Sequence, residues 1–140
     1  MKEKIIIRPY KSLDYEQVKI NLKEGDAFEW SDTPEILENK SKNEPSSIIV
    51  AEINGKVIGN VYLINDKWFA GIFRLAVREE YRGKDIGIKL MKKAEEYLKS
   101  KGHKEVMIFV NKKYGKLISW YKKQNYRHTD NDFKAMWKEL

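Results

Sequence analysis

The segment from Trp68 to Val110 constrains the fold most, because one amphipathic helix separates two apolar runs. The first run, WFAGIFRLAV, is apolar on both faces, which predicts a central strand covered on both sides. Gly71 inside this run indicates a β-bulge or a close backbone approach. The helix ends at Gly102, and KEVMIFV follows as a second apolar strand. Strand, helix and strand in this order predict a right-handed βαβ unit with parallel strands.

The helix between these strands presents one apolar stripe at helical spacing, and lysines and a glutamate occupy its other face. The stripe consists of Ile86, Leu90, Met91, Ala94, Tyr97 and Leu98. A helix with this pattern packs its apolar stripe against a core, so we expect it to cover one face of the sheet.

A hairpin precedes this segment. SSIIVAEI and KVIGNVYLI flank Asn54-Gly55, a pair that tolerates the positive φ angles of a type I′ turn. Further upstream, Lys4–Tyr10 is typical of a short strand stopped by proline. Together with the βαβ unit, the hairpin predicts a mixed sheet covered by helices.

Helix boundaries are also marked in the sequence. Asp14 is placed to cap a helix that ends at Gly25, and Asp32 is placed to cap a second, shorter one. A fourth helix is predicted over Tyr114–Gln124, after the long one, and a closing strand, FKAMWKEL, follows it.

The length, charge and cysteine content limit the classes of protein to which this chain can belong. A chain of 140 residues favours one domain over 1–140. The net charge of +7 suggests an anionic partner, although a solvated lysine-rich surface has the same effect on charge. The absence of cysteine excludes disulfides and thiolate–metal sites, and His103 and His128 lack ligand spacing, so no metal is expected. No apolar run approaches the ~20 residues of a membrane span, and the N-terminus lacks a signal-peptide core. We therefore expect a cytoplasmic monomer or homodimer.

The basic loop YRGKDIG stands before the long helix. The first amides of a helix have no internal partner and carry partial positive charge, so they attract anions. Gly83 permits an unusual turn, and Gly87 allows a close approach by a ligand. Asp85 places a carboxylate where the anion would arrive. Its side chain either caps the helix and competes with an anion, or points to solvent and leaves the amides open; we expect the second arrangement.

LAVREEYRGKDIGIKL resembles the acetyl-CoA-binding motif of the GNAT (GCN5-related N-acetyltransferase) superfamily, [Arg/Gln]-x-x-Gly-x-[Gly/Ala]. Arg82, Asp85 and Gly87 take the three named positions, and Asp85 departs from the pattern. The resemblance extends over IIIRPYKSLDYEQV, AEINGKVIGNVYL and VMIFVNKKYGKLISWYKKQNYR. It implies an α/β (α+β) GNAT fold: a mixed, mostly antiparallel central sheet with helices on both faces and a splay between parallel fourth and fifth strands.

The resemblance also implies an acetyl-CoA site, with the cofactor as cosubstrate. Backbone groups that would pair with the pantetheine arm belong to Leu75, Ala76 and Val77, and the Val77 N–H would polarise the thioester carbonyl. The pyrophosphate would be held by the amides of Arg82, Gly83, Lys84, Asp85, Ile86 and Gly87. Further contacts to the cofactor are implied for the side chains of Lys84 and Lys123. Tyr114 stands where the family often has an asparagine that contacts the cofactor.

Tyr121 matches a tyrosine on the family's fourth helix, near the sulfur of coenzyme A. There it would act as general acid toward the departing thiolate. A second interpretation remains open, because Tyr114, Leu117, Ile118 and Tyr121 also have the spacing of a buried helix face.

The general base and the acceptor are left open. Many relatives use a glutamate on the fourth strand, and WFAGIFRLAV has none. Asp26, Glu29 and Glu35 lie in the region that lines the acceptor side in this fold, and a water chain is an equal alternative. The acceptor pocket is assigned to Phe28, Glu29 and Trp30, and the alternative is that Phe28 and Trp30 belong to the core.

The resemblance implies an N-acetyltransferase (EC 2.3.1.-) that modifies a small-molecule or peptide amine. A non-catalytic acyl-CoA-binding module is the alternative. A basic nucleic-acid-binding domain is a weaker one, because the aromatic residues near the C-terminus fit a core better than a base-stacking surface.

Overall fold

The computed structural model describes residues 3–129 and 133–140. Two compact units are distinguished, Met1–Ile108 and Phe109–Leu140. The first unit contains β1 (Ile5–Pro9), α1 (Tyr15–Glu24), α2 (Pro34–Asn43), β2 (Ile48–Ile53), β3 (Lys56–Asn65), β4 (Ala70–Val77) and α3 (Ile86–Ser100). The second unit contains α4 (Gly115–Lys122). The single domain predicted over 1–140 stays a prediction.

The first unit is built on a four-stranded sheet in the order β1-β2-β3-β4, with every neighbouring pair antiparallel. The hairpin prediction is confirmed. Ile53 pairs with Lys56 across a two-residue turn, in which Asn54 and Gly55 have φ angles of 52° and 79°. Positive φ at both positions defines the type I′ turn, which matches the twist of the strands.

Helices cover both faces of this sheet. On one face, α1 and α2 pack Val18, Leu22 and Leu37 against Tyr62 and other side chains of the sheet. On the other face lies the apolar stripe of α3, whose fully buried members are Ile86, Leu90, Met91, Ala94 and Leu98.

The predicted end of α3 is confirmed at Gly102. Its φ angle is +96°, its amide donates to the carbonyl of Lys99, and the next amide, that of His103, donates to Leu98. These two bonds form a Schellman motif, which satisfies carbonyls that the helix end would leave free.

The predicted strand KEVMIFV is wrong over most of its length. Within residues 3–108, its only ladder contact is an isolated parallel bridge between Met107 and Gly71. The Met107 amide donates to Ala70 at 2.9 Å, and the Ile72 amide donates to Met107 at 3.2 Å. The bridge bears out the close approach expected at Gly71. A β-strand needs successive ladder partners, and one bridge does not extend into a strand.

The predicted closing strand FKAMWKEL is also not formed. Residues 133–140 have no regular secondary structure. Their large apolar side chains are exposed rather than alternating between a buried and a solvated face: Phe133, Met136, Trp137 and Leu140. Without a buried face, the pattern lacks what stabilises an outer strand.

Both predicted aspartate caps are corrected. Asp14 precedes α1 but makes no side-chain cap bond; its carboxylate accepts from Arg8 at 2.8 and 2.9 Å. The cap of α2 is Thr33, whose hydroxyl accepts from the Ile36 amide at 3.2 Å. Asp32 is buried instead. In both cases the carboxylate accepts from an arginine and from an amide that precedes it in the chain, that of Lys11 or Glu29, instead of from the first turn of the helix.

A β-bulge interrupts the pairing of β3 with β4 next to Arg74, whose φ angle is +54°. A buried polar network holds this irregular backbone. Asn60 Nδ2 donates to the Arg74 carbonyl at 2.9 Å, and Asn21 Nδ2 donates to Asn60 Oδ1 at 3.1 Å. Arg78 Nε in turn donates to Asn21 Oδ1 at 2.6 Å. The network therefore ties α1, β3 and the end of β4 together.

We expect Asn60→Ala to lower the free energy of unfolding by about 2–3 kcal/mol, because it leaves the Asn21 amide and the Arg74 carbonyl without their partner. Urea unfolding monitored by circular dichroism measures this change. Asn39→Ala, on the exposed surface of α2, is the matched control and should change stability by no more than about 0.5 kcal/mol. Equal stability of the two variants would contradict the role assigned to the network.

Candidate active site

The end of β4 presents free backbone groups at the edge of the sheet. The Arg78 amide donates to Ile58 at 2.9 Å, and Val77 lies opposite Gly59. Because hydrogen-bonded and non-hydrogen-bonded pairs alternate in an antiparallel ladder, the Val77 N–H and C=O point away from β3. The carbonyl accepts from Arg82 Nε at 3.0 Å. Within residues 3–129 and 133–140, the Val77 N–H has no acceptor and is left as an open donor on this edge.

The loop between β4 and α3 leads directly into the helix. Gly83 and Asp85 both have left-handed backbone conformations, with φ angles of +82° and +61°. The Arg82 amide donates to Glu79 at 3.1 Å, and the Lys89 amide donates to Asp85 at 3.0 Å. Between these two, the amides of residues 83–88 make no hydrogen bond within the part of the chain that the structure describes. Six consecutive amides are thus available where the helix dipole is positive.

Asp85 does not occupy this site with its side chain. The residue is exposed and makes no side-chain cap bond to the first turn of α3. Of the two arrangements considered from the sequence, the open one is present. Its neighbour Lys84 donates to Glu3 at 2.9 Å in an exposed ion pair. Such pairs contribute little to stability, so Lys84 is available to exchange Glu3 for another anion.

Tyr121, Tyr114 and Lys123 belong to the second unit. Tyr121 is partly buried; its ring packs edge-on against Trp120 and Tyr126, with centroids 5.0 and 5.6 Å away. Burial raises the pKa of Tyr121 to about 12, so the phenol keeps its proton at neutral pH.

The stripe of α4 is not a buried core face. Tyr114 and Leu117 are exposed, and Ile118 and Tyr121 are only partly buried. Lys123 is exposed at the C-terminal end of the helix. Because none of the residues of α4 is fully buried, the interpretation of its apolar stripe as core receives no support from its burial.

The segment between α1 and α2 carries the residues expected at the acceptor pocket. Phe28 packs on the core beneath Lys19 and Lys23, whose Nζ atoms lie 5.6 and 5.3 Å from the ring centroid. Trp30 is 84% exposed, so it is not a core residue. The side chain of Glu29 is exposed as well. This segment therefore offers aromatic and acidic side chains to solvent.

Sequence reasoning missed a buried ion pair at this place. Asp32 is only 3% exposed and accepts from Arg74 Nε at 3.2 Å, from the Glu29 amide at 2.8 Å and from the Tyr62 hydroxyl at 3.3 Å. Burial and the Asp32 carboxylate together raise the pKa of Tyr62 well above its usual value, so its hydroxyl remains a donor. The sequence does contain a signal that could have indicated this pair: Arg74 is a charged residue inside an otherwise apolar strand.

A model of the acetyltransferase (GNAT) family matches residues 14–126, most of the chain. The chain belongs to the GNAT family. It is an acetyltransferase of the class EC 2.3.1.- with an α+β fold, as the resemblance implied. The matched range includes the loop before α3, the buried ion pair and α4.

Several solved structures of other proteins share the fold. PaiA N-acetyltransferase from Thermoplasma acidophilum, in complex with coenzyme A, is 24% identical with a TM-score of 0.80, over 92% of this chain and 93% of that one. Ard1 from Thermoplasma volcanium is 22% identical with a TM-score of 0.78, over 89% and 84%. Glucosamine-6-phosphate N-acetyltransferase from Arabidopsis thaliana is 19% identical with a TM-score of 0.72, over 97% and 100%.

Over residues 3–129 and 133–140, no three metal-ligating side chains converge. None of the helices found there has the length and apolar character needed to cross a membrane.

Proposed function

We propose that this GNAT protein transfers the acetyl group of acetyl-CoA to a primary amine by direct attack. The observation that carries the proposal is the run of open amides at residues 83–88, next to a strand end whose Val77 N–H is also open. The PaiA structure, which contains coenzyme A, supports the assignment because it has the same fold.

The open amides suit a pyrophosphate. In our proposal the amides of 83–87 bind it, while the Arg82 amide, already bonded to Glu79, does not. The amide of Ile88 extends the same row. Lys84 and Lys123 add contacts to phosphates, and Tyr114 contacts the cofactor. Anion binding by helix N-termini needs no further charge, although basic side chains strengthen it.

The edge of β4 suits an extended chain. The backbone of Leu75, Ala76 and Val77 pairs with the pantetheine arm in the manner of an added strand. The Val77 N–H then donates to the thioester oxygen, on which negative charge grows as the amine attacks. A fixed donor at this point stabilises the transition state because it needs no reorganisation.

The reaction balances with one donor and one acceptor of protons. The amine nitrogen forms a bond to the thioester carbon, the C–S bond breaks, and the sulfur takes the proton of Tyr121. The ammonium loses one proton to water before the attack, and the nitrogen loses a second to solvent after it. One of these protons replaces the proton given up by Tyr121, and the other is released. A primary amine is mostly protonated at neutral pH, so a base must take its proton. Because the candidate carboxylates of Asp26, Glu29 and Glu35 are all exposed, we assign this base to water. Phe28, Glu29 and Trp30 contact the acceptor.

Acetyl-CoA should stabilise the protein by roughly 2.7 kcal/mol at 100 times its dissociation constant, which thermal shift measures. Free-thiol release then reports turnover with a panel of amines. No shift at millimolar acetyl-CoA would overturn the proposal. A shift without thiol release from any amine would favour the acyl-CoA-binding module instead. RNA binding that weakens with salt, without a shift by acetyl-CoA, would favour the nucleic-acid alternative.

Tyr121→Phe should lower kcat by about 10²–10⁴-fold near pH 7 and leave acetyl-CoA affinity unchanged, because it removes only the transferred proton. Since the pKa of Tyr121 is raised to about 12, the wild type should not lose this acid through about pH 10. The defect of the variant should shrink above roughly pH 8.5, where a thiolate no longer needs a proton. Tyr126→Phe, which removes a neighbouring hydroxyl, is the control. Equal kcat of wild type and Tyr121→Phe at pH 7 would eliminate the general acid.

Asp85→Asn should tighten coenzyme A binding by only about 2–5-fold at low salt, and less as salt rises, because it removes one exposed charge near the phosphates. Asparagine tolerates the left-handed conformation, so the loop keeps its shape. Calorimetric titration measures the change, with Glu96→Gln on the exposed face of α3 as control. A gain well beyond about tenfold would mean that the carboxylate obstructs the ligand, contrary to its open placement.

A further inference from the structure

We infer that the acceptor carries an anionic group, a carboxylate or a phosphate, and that the guanidinium of Arg74 binds it. The inference rests on the proposed function and adds the chemical class of the acceptor. It concerns Nη1 and Nη2 of Arg74, which make no hydrogen bond within the described residues.

Hydrogen bonds hold both the backbone carbonyl and the Nε atom of Arg74. Its backbone occupies the β-bulge of β4, where the carbonyl accepts from Asn60 Nδ2 at 2.9 Å. Its Nε donates to Asp32, and the Asp32 carboxylate is itself fixed by Tyr62 and by the Glu29 amide. An arginine held this way loses little further conformational entropy when it binds a ligand.

The two terminal nitrogens of Arg74 remain available. Within residues 3–129 and 133–140, every hydrogen bond of this guanidinium uses Nε, and none uses Nη1 or Nη2. The side chain is 23% exposed, so these nitrogens reach solvent. Together they form the planar fork that pairs with a carboxylate or phosphate through two parallel hydrogen bonds.

Arg8 shows the same arrangement with both positions filled. Its side chain is 20% exposed, close to that of Arg74. It bridges two carboxylates, donating to Asp14 at 2.8 Å and to Glu52 at 2.9 Å. Arg74 has one protein carboxylate, Asp32, where Arg8 has two. A second carboxylate or a phosphate from the acceptor would complete the equivalent bridge.

The surroundings of Arg74 favour an anion further. Lys40 Nζ and Arg74 Cζ lie 5.7 and 5.8 Å from the centroid of the Phe73 ring, which is partly exposed. Lys40 donates to the Leu63 carbonyl, and burial lowers its pKa. Asp32 offsets the charge of Arg74 in their ion pair, so the net positive charge near Phe73 comes from Lys40, and Arg74 adds hydrogen-bond donors.

The position of Arg74 in the chain connects it to both parts of the proposed site. It immediately precedes Leu75–Val77, the segment that we propose binds the acetyl donor. Its partner Asp32 closely follows Phe28, Glu29 and Trp30, which we propose contact the acceptor. A group bound by Arg74 would therefore be near both the segment proposed for the acceptor and the strand proposed for the acetyl donor.

The test uses pairs of amines that differ only in charge: amino acids and their carboxamides, and glucosamine 6-phosphate and glucosamine. Thiol release gives kcat/KM for each, and thermal shift with coenzyme A present gives binding without turnover. We expect the wild type to prefer one anionic member by about 10- to 100-fold. The amino-acid and sugar-phosphate arms separate carboxylate from phosphate.

Arg74→Gln should abolish this preference, chiefly through KM, and Arg74→Lys should restore only part of it because a lysine lacks the fork. Arg127→Gln, which removes an exposed guanidinium of the second unit, should keep it. The inference is overturned if the wild type turns over or binds neutral amines or polyamines equally well. It is also overturned if Arg74→Gln slows all amines equally or only lowers the melting temperature. A failure of acetyl-CoA to bind would instead contradict the proposed function.

Discussion

The hydrogen bonds that join Asn21, Asn60 and Arg78 are the interactions on which the site depends most. They lie among buried apolar side chains, where an unpaired amide is costly, so each member enforces the position of the next. Asn60 completes the chain by holding the carbonyl of Arg74 in the bulge. A bulge re-aims the residues that follow it. The bulge lies between Phe73 and Ala76 of β4 and immediately precedes Val77, whose N–H points away from β3.

The buried carboxylates of Asp14 and Asp32 have the same kind of partner. Asp14 and Asp32 were both expected to cap helices, and both are bonded to an arginine of a neighbouring strand. Replacing such pairs by apolar residues is often neutral for stability, so their value lies in fixing geometry rather than in energy. Asp14 ties the start of α1 to β1, and Asp32 ties the α1–α2 segment to β4. The second tie brings the proposed acceptor segment to the strand that we propose binds the acetyl donor.

Local chemistry explains which parts of the structure could be predicted from the sequence. The Asn54-Gly55 turn, the end of α3 at Gly102 and the left-handed Gly83 each depend on residues close in the chain, and each was found. The strand predicted after α3 is wrong because ladder formation depends on distant partners, and among the described residues a partner is present only for Met107. Asp32 was misread for a related reason: its cap signal is local, whereas Arg74 lies 42 positions away. The roles of Tyr121 and the acceptor residues stay predictions, because they come from the family resemblance.

The first turn of α3 lacks the side-chain cap that Asp85 could provide. A carboxylate at the position of Asp85 would ordinarily accept from the first turn of the helix and contribute about 1 kcal/mol. Here the left-handed backbone accompanies a side chain that does not cap, and six amides are left to solvent. The helix is stabilised elsewhere, by its buried stripe and by the Schellman motif at Gly102. Because the far end and the buried face keep α3 in place, its first turn can stay uncapped, and an arriving anion finds donors that need not be released from another partner.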